Sequence, residues 1–363
     1  MPLMTRIGKT SHAEPTIRDI AEYLHLSHPT VSRALRDHPS ISYETRRKVR
    51  EAADKLGYVP NSSARMLRQT QSDLIGVIFP DIQNDFYSSA TATLGKALVQ
   101  RGQKLMLAIS EDDPALELKL VQGMREARVA GVVIAPTAEL RPETLRLLQP
   151  IPTLQLLRHH PGLSGVLVGV DESKGIALAV SHLASLGHQR IGFIVGNKSL
   201  STGRGRTAGY RKGLLAAGLP IDETLILHGA PRPEFGYTAM EQLLALSHPP
   251  SAVVIASSQL TLGSLDALRQ HSISIPKRLS VIAYHDPDWF ALWGPGISAV
   301  RLPVKEMADT VAALLLHEYP GTSGRAEDVG ANRLKKIIFE PQLIIRGTTA
   351  RPVLRQRRPD RAL

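Results

Sequence analysis

The chain has 363 residues, no cysteine and a formal net charge of +11, from 44 Lys+Arg against 33 Asp+Glu. That length allows two or three domains, each with its own core, and the lack of cysteine excludes a disulfide scaffold and thiolate metal sites. No apolar run approaches the roughly 20 residues of a membrane span, and the N-terminus lacks the charged-then-apolar pattern of an export signal, so a cytoplasmic protein is expected.

Charge is uneven along the chain. Residues 1–71 carry 12 Lys+Arg against 7 Asp+Glu, and residues 350–363 carry 5 Arg against 1 Asp, which leaves only +2 for the long middle. A cationic excess gathered at the ends suits attachment to phosphates. The segment 350–363 is rich in Arg and Pro and has no heptads, so it reads as a basic, disordered tail.

Residues 1–15 read as a flexible leader. From Thr16 to Leu35, TIRDIAEYLHLSHPTVSRAL predicts two short helices joined by a tight turn. Ile17, Ile20, Ala21 and Leu24 recur at helical spacing, with Thr16 as the cap and Asp19 in the first turn. After a break at His25–Leu26, Ser27 caps a second helix with Pro29 near its start, where a missing N–H costs little. Val31, Ala34 and Leu35 face inward, while His28, Pro29, Ser32 and Arg33 face outward. A helix with a packed back and a small polar, basic front is what a helix-turn-helix presents to the major groove. Ser42 caps a third helix that Gly57 and Pro60 end. SSARMLR, residues 62–68, is a basic amphipathic fragment within a hinge at 61–71.

From Leu74 the pattern changes. Short apolar runs at 74–79, 104–109, 131–135, 192–195, 252–256 and 279–283 alternate with helical stretches. That is the signature of parallel sheets wrapped by helices.

AEYLHLSHPTVSRAL, TRRKV, LGYVPN and SSARMLR carry a resemblance. LIGVIFPDIQNDFYSS, VAGVVIAP, VGVDESKG, HLASLGHQRIGFI, GRGRTAGY, SVIAYHD, VRLPVKEMA and LIIRGTT extend it, in order, to about Thr349. Together they resemble the lactose-repressor (LacI/GalR) family of bacterial transcription regulators. The resemblance implies an α/β fold. A helix-turn-helix headpiece (16–60) and a hinge helix (61–71) precede a two-lobed, periplasmic-binding-protein-like sensor with parallel sheets (72–349). The lobes are expected to interleave as roughly 72–168 plus 299–328, and 169–298 plus 329–349. Also implied is a homodimeric repressor on a pseudo-palindromic operator in double-stranded DNA. It would control a carbohydrate or sugar-acid utilisation operon, and a small-molecule effector in the interlobe cleft would switch its affinity. No cofactor and no metal are expected.

At the DNA end, Arg33 is the first choice for a base contact, because Arg grips guanine O6 and N7 together. His28 and Pro29 occupy the family's base-reading positions, where Pro29 can only touch something apolar, such as a thymine methyl. Thr30, Ser32, Thr45 and Arg46 suit phosphate contacts that set register. Thr16, Ser27, Asn61 and Ala64 complete the implied DNA-binding set, with Leu67 as the wedge that enters the minor groove. His25 stands where the family usually has Gly, so a positive φ with some strain is expected.

In the sensor, the resemblance assigns Phe86 to stacking on the effector and Arg206 to gripping it, with Arg158, Ser257, His285 and Asp286 around them. Asp171 reads instead as a helix cap. The acid that often precedes the arginine ending the fourth strand is here Leu157, the frequent Asn-Asp pair is Ser257-Ser258, and the aspartate after Ala-Tyr is His285, while Arg158, Arg206 and His285 remain. Fewer carboxylates beside retained cations suit an anionic effector, a sugar acid or phosphorylated metabolite. Three other readings are possible for such a chain. An enzyme is opposed by the misspaced glycines of Gly203–Gly209 and the absence of any nucleotide or nucleophile motif. A solute-binding protein is opposed by the headpiece. A regulator with a protein corepressor remains the alternative of the same fold.

Overall fold

The computed structural model describes residues 15–58, 72–316, 325–329 and 334–353. The expected leader, the hinge with Asn61, Ala64 and Leu67, and the tail from 354 lie outside the described residues. The chain forms two compact units, Met1–Thr70 and Gln71–Leu363.

The first unit holds α1 (Ile17–Leu24), α2 (His28–Ala34) and α3 (Tyr43–Leu56). Ile20, Ala21, Val31, Ala34, Val49, Ala52 and Ala53 form its core. The caps are those the sequence places. Thr16 donates from N and Oγ1 to Asp19 Oδ2 at 2.6 and 2.7 Å. Thr30 and Thr45 donate their N–H groups to Ser27 and Ser42 Oγ, both at 3.3 Å. His25 ends α1 in the left-handed region at φ 52°, as expected for the turn.

The second unit contains two sheets. Its strands are β1 (Leu74–Phe79), β2 (Lys104–Ile109), β3 (Gly131–Ile134), β4 (Thr153–Leu156), β5 (Gly165–Val170), β6 (Ile191–Gly196), β7 (Ile226–Gly229), β8 (Ala252–Ile255), β9 (Ser280–Tyr284), β10 (Ser298–Arg301), β11 (Arg325–Val329), β12 (Leu334–Phe339) and β13 (Gln342–Ile344). The first sheet runs β11-β12-β5-β4-β3-β1-β2 and the second β13-β10-β9-β8-β6-β7. Among the described residues, only β11–β12 and β10–β13 pair antiparallel. The helices are α4 (Asp85–Val99), α5 (Pro114–Glu126), α6 (Pro142–Leu148), α7 (Glu172–Ser185), α8 (Ser201–Ala216), α9 (Pro233–Ala245), α10 (Ser258–Gln270), α11 (Asp288–Leu292) and α12 (Val304–Leu315). They cover the sheets, which is why the central strands β1, β3, β6, β8 and β9 read as largely apolar runs.

The chain passes between the sheets after β5, after β10 and after β12. The last two passages fall later than the expected 299 and 329. Ser298–Val300 pairs with Ile282–Tyr284 and so stays in the second sheet. Leu334–Phe339 pairs in register with Gly165–Val170 and belongs wholly to the first. Apolar periodicity reveals a strand but not its partner, so the crossings were not readable from the runs.

Candidate DNA-reading face and effector cleft

In the first unit, α2 buries Val31 and Ala34 and leaves Ser27, His28, Pro29 and Arg33 exposed. Among the described residues, the Arg33 guanidinium has no hydrogen bond or ion pair. Ser32 is partly engaged: Arg36 donates Nε to its carbonyl at 2.9 Å and Nη2 to its hydroxyl at 2.8 Å. Thr30 and Thr45 face their cap serines through hydroxyl pairs of 2.8 and 2.9 Å. Arg46 lies 3.8 Å from the Asp37 carboxylate, which also pairs with Arg50. A phosphate contact by Arg46 therefore competes with an acid already in place.

In the second unit the expected effector residues sit at or beyond the carboxyl ends of strands, where open α/β sheets bind ligands. Arg206, on α8, meets Glu172, the first residue of α7. Its Nε donates to Oε2 at 2.7 Å and its Nη2 to Oε1 at 3.1 Å. Its Nη1 donates to the Ala256 carbonyl at 2.6 Å, and its guanidinium lies 4.3 Å from the Tyr284 ring centroid. Arg158 pairs through both terminal nitrogens with Asp112. Burial opposes the charge on each arginine, but Tyr87 and Asp112 beside Arg158, and Glu172 and Tyr284 beside Arg206, prevail and raise both pKa values.

His285 follows β9 in the left-handed region at φ 74°. Its ring is buried and its Nδ1 has no partner. Burial depresses its pKa to about 4; Arg206 adds to this, while Asp85 and Asp286 pull the other way. The ring meets Phe86 edge-on at 6.2 Å, and Phe86 meets Tyr87 edge-on at 5.3 Å. Ser258 Oγ is also buried without a partner. Phe86, Arg206 and His285 thus converge, and Arg158 is close enough to share the field of buried Tyr87 with Arg206.

Two expected effector residues have other work. Ser257 caps α10 by accepting from Leu260 N at 3.1 Å. The Asp286 carboxylate accepts from Arg346 at 2.7 and 2.9 Å and from Arg301 at 2.9 and 2.6 Å. Neighbours distant in sequence consume it, which its place after Ala-Tyr does not disclose. Phe86, expected to stack on the effector, is 2 % exposed and belongs to the core. Asp171 caps α7 by accepting from Lys174 N at 2.8 Å, as read.

The expected surplus of cations is therefore absent. Glu172 and Asp112, neither singled out in the sequence, neutralise the two arginines, and His285 is uncharged near neutrality. The signal for Glu172 was its place directly after the cap Asp171, at a strand end. The glycines around Arg206 are helical packing positions rather than a phosphate loop. A Cβ on Gly209 would lie 2.3 Å from the Ser173 carbonyl oxygen, and one on Gly205 would lie 3.1 Å from Glu172 Cβ. Close approach of α7 and α8 is what brings Arg206 to Glu172.

Comparison with known proteins agrees with this architecture. Residues 16–61 match the model of bacterial regulatory proteins of the lacI family, and residues 180–349 match that of the periplasmic binding protein-like domain. The regulator MalR of Streptomyces coelicolor is 30 % identical over 92 % of this chain and 96 % of its own. The chain belongs to the lacI family of bacterial regulatory proteins.

The fold is that of the lac repressor: one chain of its dimer bound to operator and an anti-inducer superposes with a TM-score of 0.77 over 93 % of this chain and 100 % of its own, at 24 % identity. A complex of the regulator CelR with cellobiose gives 0.65 at 26 % identity, over 92 % of this chain and 100 % of its own. Members of the lacI family are DNA-binding transcriptional regulators, not enzymes; they bind operators and sugar effectors, and a dimer is typical of them. Among the described residues no helix is long and apolar enough to cross a membrane.

Proposed function

We propose that this chain is a cytoplasmic repressor that binds a two-fold operator as a homodimer and releases it in response to an uncharged, hydroxyl-rich carbohydrate. The observation that carries the effector class is charge compensation: Arg206 and Arg158 each have a carboxylate, from Glu172 and Asp112. Such pairs offer donors and acceptors side by side, which suits hydroxyls, and leave no net charge for a sugar acid or phosphate. This replaces the anionic effector expected from the sequence.

On DNA, α2 would read bases through Arg33, with His28 and Pro29 beside it, while Thr16, Ser27, Thr30, Ser32, Thr45 and Arg46 set register on phosphates. Asn61, Ala64 and Leu67 would join from the hinge. Effector binding would shift the lobes and change whether two hinge helices pack together in the dimer.

The test is direct. Operator DNA selected from a random pool should bind with affinity that falls steeply with salt. Neutral mono- and disaccharides, but not their uronate or phosphate counterparts, should weaken that binding. Release by the anions alone would refute the effector class.

A further inference from the structure

We infer that Glu172 sets the charge class of the effector, by holding the face of Arg206 that would otherwise grip an anion. The inference rests on the proposed reading of the cleft as the effector site.

An arginine takes a carboxylate best along one edge, through two parallel N–H donors. In Arg206 that edge is Nε with Nη2, and both donate to Glu172. The remaining terminal nitrogen donates to the Ala256 carbonyl, and the ring of Tyr284 covers one flat face. A carboxylate or phosphate that takes the Nε–Nη2 edge must displace Glu172.

Displacement is costly for two reasons. Glu172 is the first residue of α7 and is packed against α8, where a Cβ on Gly205 would lie 3.1 Å from its Cβ and one on Gly209 would lie 2.3 Å from the carbonyl oxygen of the next residue, Ser173. A carboxylate pushed off Arg206 would stay buried without a counter-charge, which is among the most expensive arrangements in a protein interior. A hydroxyl faces neither cost. It can accept from a guanidinium N–H not already used and donate to a free lone pair of Glu172. One side chain thus turns an anion-gripping arginine into half of a polar, uncharged pair.

The experiment uses the full chain in four forms: wild type, Glu172→Gln, Glu172→Asp and the double variant Glu172→Gln/Arg206→Gln. Thermal unfolding is followed in sodium acetate and in sodium chloride at matched ionic strength. Glutamine keeps the shape of Glu172 and removes its charge. Glu172→Gln should be stabilised by acetate over chloride, at least tenfold more sensitively than the wild type. The double variant should lose that preference. Equal response of wild type and Glu172→Gln, or a preference that survives in the double variant, overturns the inference. If Glu172→Gln folds only in acetate, the inference is supported. If it folds in neither salt, Glu172→Asp decides, since its shorter carboxylate should leave a partial acetate preference, and none overturns the inference.

A second arm separates the two readings, with galactose against galacturonate and glucose against glucuronate as probes of operator release. Uronate release of wild type, with the acetate preference still present in Glu172→Gln, would remove the neutral effector and leave the hold of Glu172 on Arg206. Release by neutral sugars with no acetate preference would do the reverse.

Discussion

Arg206 and Glu172 join adjacent helices through two hydrogen bonds, with their side chains only 11 % and 10 % exposed. Removing either partner strands the other charge in a dry site. Arg206→Ala should destabilise the sensor by about 3–5 kcal/mol, whereas replacing both residues by Met should cost less than the sum of the single changes. Urea denaturation of the three variants checks this, and additive losses would mean that the pair is not coupled.

Gly209→Ala should act on the same pair from behind. The added methyl would meet the Ser173 carbonyl oxygen at 2.3 Å. Backbone cannot yield as a side chain tip does, so a loss of about 1–3 kcal/mol is expected, with weaker effector response because Arg206 moves from Glu172. A variant of unchanged stability and response would show that the helices tolerate separation.

Stability should fall with acid through His285. Its pKa is about 4 in the fold against an ordinary 6.5, with burial as the main cause. The neutral ring is the folded form, so its contribution is complete above pH 6.5 and is lost as pH falls through 4. The difference corresponds to about 3 kcal/mol. His159, His160, His182 and His188 are shifted downward by burial too and add in the same direction. His285→Asn, which tolerates the positive φ, should flatten the stability–pH curve between 6.5 and 4. An unchanged curve would mean that His285 is not a main contributor.

Arg33→Ala should weaken operator binding by about 1–3 kcal/mol and relax the preference at one base pair in each half-site. Effector binding should be untouched. Fluorescence anisotropy on an operator and its single-base variants distinguishes this from a uniform loss, which would assign Arg33 to phosphate instead.

Leu67→Ala tests the wedge proposed for the hinge. Operator affinity should drop while effector binding persists, and the DNA bend, read by energy transfer between its ends, should shrink. Full affinity with an undiminished bend would remove the wedge.

Much of this molecule was readable along the chain. Thr16, Ser27 and Ser42 announce three helix starts, and Gly57 announces an end, because capping depends on residues within one turn. The runs 74–79 and 104–109 coincide with β1 and β2; in β1 the cause is burial on both faces, which leaves an unbroken apolar stretch. Arg206 was visible by resemblance, but its state was not. Glu172 lies 34 residues from Arg206, Asp112 lies 46 from Arg158, and Asp286 lies 60 from Arg346. The charge at each site is the sum of groups that only folding brings within hydrogen-bonding reach. Local rules therefore determined the elements and the helix-turn-helix. The tertiary structure decided which sheet received β12 and which arginines met a carboxylate, because Coulomb and desolvation energies depend on distance in space, not along the chain.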